Sequence, residues 1–198
     1  MITDSASDAT SCQWNEREAE LLAITLKLLQ EHGYDRLTVE AVASSAKASK
    51  ATMYRRWPSK ADLVLAAFIE GTRNSAVAPR TGSLREDLLA IGRSTCRQAR
   101  EHRRTMRAVL NEMSHSPELE KAMQEKFVLQ RRLVIDEILA GAVERGEIDA
   151  AAINEEIFDL LPGYLVFRSL ISDRPPTDAT VQTLVDDVLL PSLTAERM

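Results

Sequence analysis

Lys47, Lys50, Arg55, Arg56 and Lys60 fall within residues 44–60 with no Asp or Glu among them, interleaved with Ser49, Thr52 and Tyr54. Lys can donate to guanine acceptors, Thr can bond a base edge or touch a thymine methyl, and a Tyr hydroxyl can reach a phosphate. The net charge of −5 argues against a polyanionic partner, but its distribution reverses that: the segment carries +5 and the other residues together −10. A basic face on an acidic body fits nucleic acid.

The elements that must hold these side chains are short. Thr38 is a good N-cap for a helix of about two turns, with Glu40 in its positive first turn and Val39, Val42 and Ala43 as its apolar face. Ser49 caps a second helix, Lys50 to Arg56, which Pro58 stops, and Ser59 with Asp62 opens another in a capping-box pattern. Two short helices joined by a tight turn form a helix-turn-helix, whose second member enters the major groove with its N-terminal residues on the bases. Lys50 and Thr52 then lie nearest the bases. Tyr54 is expected to offer its hydroxyl to a phosphate and its ring to the core. Lys60, at a helix N-terminus that attracts anions, either meets a phosphate or lies over Trp57. Arg55 and Arg56 are adjacent and cannot share one face, so one is expected on phosphate and the other on solvent or a carboxylate.

Along the chain, residues 1–14 read as a disordered arm and order begins near Asn15. Ala19, Leu22, Ala23, Leu26 and Leu29 recur at threes and fours, a first helix that Gly33 ends as a left-handed cap. The helix from Lys60 to about Thr72 carries Leu63, Val64, Ala67 and Phe68 on one stripe, and residues 73–82 form the domain boundary. Beyond it the periodicity predicts helices at 84–101, 103–114, 117–145, 153–173 and 177–195. No strand pattern survives, so the class is all-α: a helix-turn-helix domain over 15–72 and a larger helical domain over 83–198.

Several chemistries find no support. Cys12 and Cys96 are far apart and lack metal-ligand spacing. Glu112 and His115 stand at i, i+3 on a predicted helix, but one such pair arises easily by chance, so no metal, no cofactor and no catalytic residue is assigned. No apolar run approaches the roughly 20 residues of a membrane span, and the acidic N-terminus lacks the features of an export signal, so a cytoplasmic protein is expected. Residues 153–173 and 177–195 are apolar on more than one face, which predicts a second burial as a two-fold four-helix contact with another copy. Pro162 should kink the first of these helices.

From Leu21 to Phe68 the chain resembles the DNA-binding domain of the tetracycline-repressor (TetR-like) family. The resemblance rests on Ala23, Leu26, Leu29, Gly33-Tyr34, Leu37-Thr38-Val39, Val42-Ala43, Ala46, Ser49, Thr52, Tyr54, Trp57-Pro58, Ser59-Lys60 and Leu63. It implies an all-helical dimer with a divergent ligand-binding body, with Thr38, Tyr54 and Lys60 at phosphate positions and Lys50 and Thr52 on the recognition helix. It also implies an effector pocket between the long helices of the body, for which Met106, Leu110, Met113, Met123, Phe127, Tyr164, Phe167 and Arg168 are candidate walls. Arg168 would answer an anionic effector or pair with Glu156 or Asp173. The chain departs from the family where Lys47 replaces the usual Gly of the turn, adding a cation beside the groove and requiring either a strained Lys47 or another turn shape. The expected function is a ligand-responsive regulator, a repressor on a near-palindromic DNA operator released by a small molecule. The rivals are a helical ligand-binding or interaction module without operator binding, and an enzyme built round Glu112 and His115.

Overall fold

The computed structural model describes residues 14–73, 77–172 and 174–194, and all regular structure among them is helical. Arm residues 1–13, linker residues 74–76, Asp173 and residues 195–198 lie outside the described residues. The N-terminal helices are α1 (Glu16–His32), α2 (Val39–Ser45), α3 (Lys50–Arg56) and α4 (Lys60–Gly71). The body contains α5 (Leu84–Glu101), α6 (Arg103–Met113), α7 (Pro117–Met123), α8 (Leu129–Glu144), α9 (Glu155–Leu170), α10 (Asp178–Leu184) and α11 (Leu190–Thr194). Five-residue π-turns, Gln124–Val128 and Val185–Leu189, join α7 to α8 and α10 to α11 without a break, so the predicted segments 117–145 and 177–195 each read as one long helix.

The first helix differs from its predicted stripe. Leu21, Leu22, Thr25 and Leu29 are buried while Ala23 is exposed, because Thr25 satisfies its hydroxyl on the Leu21 carbonyl at 2.7 Å and so enters the core. Asn15 and Glu18 close a capping box at its start. Gly33 ends it at φ 78 and ψ 170, a positive φ but an extended ψ rather than a left-handed helical cap. Trp14, which the sequence assigns to the arm, is buried against Trp57 with ring centroids 5.9 Å apart, so the ordered core begins before Asn15.

Two apolar clusters make up the core among the described residues. One holds α1 to α4 together with Val109, Leu119 and Met123 from α6 and α7; the other joins α5, α8, α9, α10 and α11. The sequence suggests one stripe on α4, yet every residue from Leu63 to Phe68 is buried, because α1 covers one side and α6 and α7 the other.

Polar ties lock the body. Ser83 makes no side-chain cap for α5; the Glu147 carboxylate accepts the Leu84 N–H instead, at 2.8 Å, which holds that carboxyl below its usual range. Asp87, buried, accepts the Thr81 N–H and hydroxyl at 2.8 Å each, and Arg85 forks onto both Asp186 oxygens at 2.7 and 2.8 Å. On α9, Leu160, Tyr164, Phe167 and Ile171 follow a 4-3-4 spacing, and the last three are 39%, 50% and 73% exposed. Val188, in the terminal long helix, is 39% exposed.

Gly92 sets the approach of α5 to α10, since a Cβ there would stand 2.5 Å from Cγ1 of the fully buried Val181. Gly92→Ala should therefore lower the unfolding free energy by about 1–3 kcal/mol through overpacking. The measurement is the urea midpoint at unchanged m-value; a variant as stable as the parent would show that the contact can relax.

Candidate nucleic-acid interface

The turn between α2 and α3 is closed by backbone bonds. Lys47 N–H donates to the Ser44 carbonyl at 3.2 Å and Ala48 N–H to the Ala43 carbonyl at 2.8 Å. Those two bonds define a Schellman motif whose left-handed position is Lys47, at φ 50. The same pair of bonds closes α8, where the equivalent position is Gly146 at φ 74. The Gly-to-Lys departure thus leaves the turn shape intact and takes the strained option, at a cost of about 1–2 kcal/mol. Arg17 adds a second fastening by donating to the Ala46 carbonyl at 2.5 Å, and it also pairs with Glu20.

Side chains cap each short helix. Thr38 Oγ1 accepts from the Ala41 N–H and Ser49 Oγ from the Thr52 N–H, both at 3.1 Å, and the Ser49 and Thr52 hydroxyls lie 2.8 Å apart. Ser59 and Asp62 complete a capping box on α4. Only Met53 of α3 is buried, with Trp57 just beyond it, so α3 hangs from two anchors and presents Lys50, Thr52, Tyr54, Arg55 and Arg56 outward.

Thr38, Lys47, Ser49, Lys50, Thr52, Tyr54 and Arg55 are all exposed at this end of the molecule, and Lys60 is half-buried. Tyr54 keeps 43% of its surface exposed, so its ring does not enter the core as the sequence reading expects: the apolar side of α3 is filled by Met53. Lys60 lies over Tyr34 at 4.1 Å from the ring centroid, and not over Trp57, whose ring is taken by Trp14. Burial, with smaller effects of Glu112, Asp35 and Asp62, pushes the Tyr34 phenol up to about 12, so it stays neutral beneath that ammonium. Arg56 is the arginine that meets a carboxylate, with Nε 2.7 Å from Glu18, and its guanidinium lies over Trp14. Lys50 Nζ is 2.8 Å from Glu40 Oε1, and that hydrogen bond holds the Glu40 carboxyl below its usual range.

Glu40, Arg17 and Trp14 are the participants that sequence reasoning misses. The Arg17 contact spans 29 residues and leaves no local signal. The Lys50–Glu40 pair joins different helices, so no i, i+4 rule reveals it.

Behind this end the body holds a partly open cavity of about 90 Å³, between α4, α5, α6, the π-turn, α8 and α9. Phe68, Ile91, Phe127, Val134, Leu161 and Val166 supply most of its wall, and Thr95, Gln98, His102, Arg131 and Ser169 its polar groups. Of the candidate walls read from the sequence, Met106 and Phe127 line it. Met113 and Met123 pack into the N-terminal cluster because α6 and α7 turn those faces toward α4. Leu110 is 41% exposed, and Tyr164 and Phe167 point out of the bundle on the free face of α9. Arg168 lies outside the cavity too; it stacks on Tyr164 and donates to the Arg174 carbonyl at 3.3 Å. Glu112 and His115 do not share a helix, since α6 ends at Met113, and no group of three metal-ligating residues occurs among the described residues.

The model for "Bacterial regulatory proteins, tetR family" matches residues 21–67, and that for "Tetracyclin repressor-like, C-terminal domain" matches residues 78–188. The chain belongs to the TetR family. It is 62% identical over 193 residues to an HTH-type transcriptional regulator of Mycobacterium tuberculosis (strain ATCC 25618 / H37Rv), covering 98% of this chain and 95% of that one. It is 37% identical over 177 residues to the "DNA-binding transcriptional repressor TetR" of Mycobacteroides abscessus, covering 88% and 92%. The crystal structure of the TetR family transcription regulator SCO0332 superposes with a TM-score of 0.79 at 32% identity, over 91% of this chain and all of that one. Like these relatives, this TetR family member is a transcriptional regulator with a helix-turn-helix, and no helix among the described residues is long and apolar enough to cross a membrane.

Lys47→Gly should stabilise this TetR fold by about 0.5–1 kcal/mol, since relief of the left-handed strain exceeds the entropy cost of glycine. Lys47→Val should destabilise it by about 1 kcal/mol or more. Denaturant titration of the three proteins checks the order; a Gly variant weaker than the parent would mean that the Lys47 side chain itself holds the turn.

Proposed function

We propose that the protein is a repressor that binds a near-palindromic operator as a dimer, in the cytoplasm, and lets go when a small molecule fills the body cavity. The observation that carries the reading is the α3 face: Lys50, Thr52, Tyr54 and Arg55 exposed together on a helix held by Met53 and a fastened turn. Lys50 and Thr52, in its first turn, are the base-reading residues, with Ser49 beside them. Thr38, Lys47, Tyr54, Arg55 and Lys60 surround them with phosphate donors. The 37% identical relative named as a repressor supports the direction of regulation.

Two reading helices need a two-fold partner to meet half-sites about 34–36 Å apart or a multiple of that. Tyr164, Phe167 and Ile171 on α9, with Val188 on the terminal helix, form an apolar face that supports pairing through 153–173 and 177–195. Phe68 supplies the link to the effector. It sits on α4, directly after the helix-turn-helix, and its ring forms part of the cavity wall. A ligand pressing on Phe68 biases the position of α4, and through it the spacing of the two α3 helices.

The test is a gel-shift and anisotropy series against the DNA upstream of the protein's own gene, across salt concentrations. The double variant Lys50→Ala, Tyr54→Phe should lose at least about tenfold in affinity and flatten the slope of log K against log salt. Glu40→Gln should steepen the slope by up to about one, because Lys50 no longer has its carboxylate. An unchanged slope in both variants would remove α3 from the interface. Separately, Phe167→Glu should shift the sedimentation of the protein from dimer to monomer; a persistent dimer would place the contact elsewhere.

A further inference from the structure

Two polar groups of the body cavity converge on one carbonyl. Gln98 Nε2 and an Arg131 terminal nitrogen both donate to the carbonyl of Thr72, at 3.4 and 3.0 Å, which places them at the C-terminal end of α4. His102 lines the same cavity, and its edge meets Phe68 of α4 with centroids 5.8 Å apart. It is 5% exposed, and its buried Nδ1 has no hydrogen-bond partner in the protein. A buried polar atom left unsatisfied destabilises the protein, so a group that fills the cavity and bonds it recovers that cost. Arg131 brings a guanidinium against the Phe127 ring at 5.0 Å, in a wall otherwise made mostly of carbon.

We infer that the effector is an amphipathic carboxylic acid, its apolar chain lying against Phe127, Val134, Leu161 and Val166 and its carboxylate set between Arg131 and His102. The inference rests on the reading of this cavity as the effector site. The chemistry selects the class: a guanidinium answers a carboxylate with charge-assisted bonds, a cationic amphiphile is repelled, and a neutral head forgoes the charge. Burial pulls the Arg131 guanidinium down to about 10, so it keeps its charge at neutral pH. Burial pulls His102 down as well, which leaves it neutral, with one ring nitrogen to donate to the acid. The head group then lies beside Arg131, which also donates to the Thr72 carbonyl, while the chain lies against the apolar wall.

Three probes of equal chain length separate head group from chain: decanoate, decan-1-ol and decylamine, each titrated below its micelle concentration into the full-length protein by calorimetry, with no DNA present. Decanoate should bind at least about tenfold more tightly than decanol, and decylamine most weakly. Arg131→Met and His102→Phe should each weaken decanoate and leave decanol within about twofold, which also reports that the variants are folded. Val166→Trp, which fills the cavity, should abolish both. Decanol binding as tightly as decanoate, or a decanoate preference that survives Arg131→Met, overturns the carboxylate while leaving the cavity as the effector site. No binding by any probe, or binding untouched by Val166→Trp, overturns the carboxylate assignment and the cavity reading together.

Discussion

Helix α4 has no free face over the six residues from Leu63 to Phe68, and the rest of the molecule is arranged by that constraint. Its N-terminal end, through the Ser59–Asp62 capping box and Pro58, follows directly on α3. Its C-terminal end, Thr72, receives Gln98 and Arg131 from the body. A helix gripped on all sides transmits a displacement rather than absorbing it, since packed cores have few voids and deform little. The N-terminal apolar cluster therefore runs through α4 onto α6 and α7, and Phe68 carries the helix to the wall of the body cavity.

The recognition end follows a different economy. Seven-residue α2 and α3 are too short to be stable alone. They persist because each is capped by a hydroxyl, because Met53, Trp57, Val39 and Val42 are buried, and because the turn is closed at both ends by side chains and backbone. Trp14 and Arg17 extend that support from the beginning of α1, one packing on Trp57 and the other donating to the carbonyl that ends α2. With so little buried, α3 can present most of its surface.

Much of this was legible in the sequence, and the boundary of legibility has a physical cause. Thr38, Ser49, Ser59 and Asp62 announce helix starts because capping is a local bond between residues three apart, and α5 runs from Leu84 to Glu101 as its periodicity predicts. The Schellman turn was half legible: Lys47 marked the strained position, but that Lys adopts φ 50 without altering the motif is set by the helices on either side. Long-range polar contacts were not legible. Glu147 capping α5 from 63 residues away, Arg17 on Ala46 and Arg131 on Thr72 depend on how helices stack. The cavity suffered most. Apolar periodicity marks a residue as inward on its own helix, but Met113 and Met123 face α4 while Tyr164 and Phe167 face away, and only the packing of neighbours decides between them.

The acidity of the chain also acquires a different weight once distances are known. Charges farther apart than the Debye length, about 8 Å at physiological salt, scarcely act on one another through water. The −10 outside residues 44–60 includes carboxylates well inside that range: Glu18 is 2.7 Å from Arg56 and Glu40 is 2.8 Å from Lys50. Those contacts outweigh the acids that lie farther off. Glu40 neutralises Lys50 in the free protein. On the proposed reading of α3, a DNA group must exceed the attraction of an exposed carboxylate to claim Lys50, which weakens purely electrostatic encounters more than those in which a well-placed base acceptor also contributes.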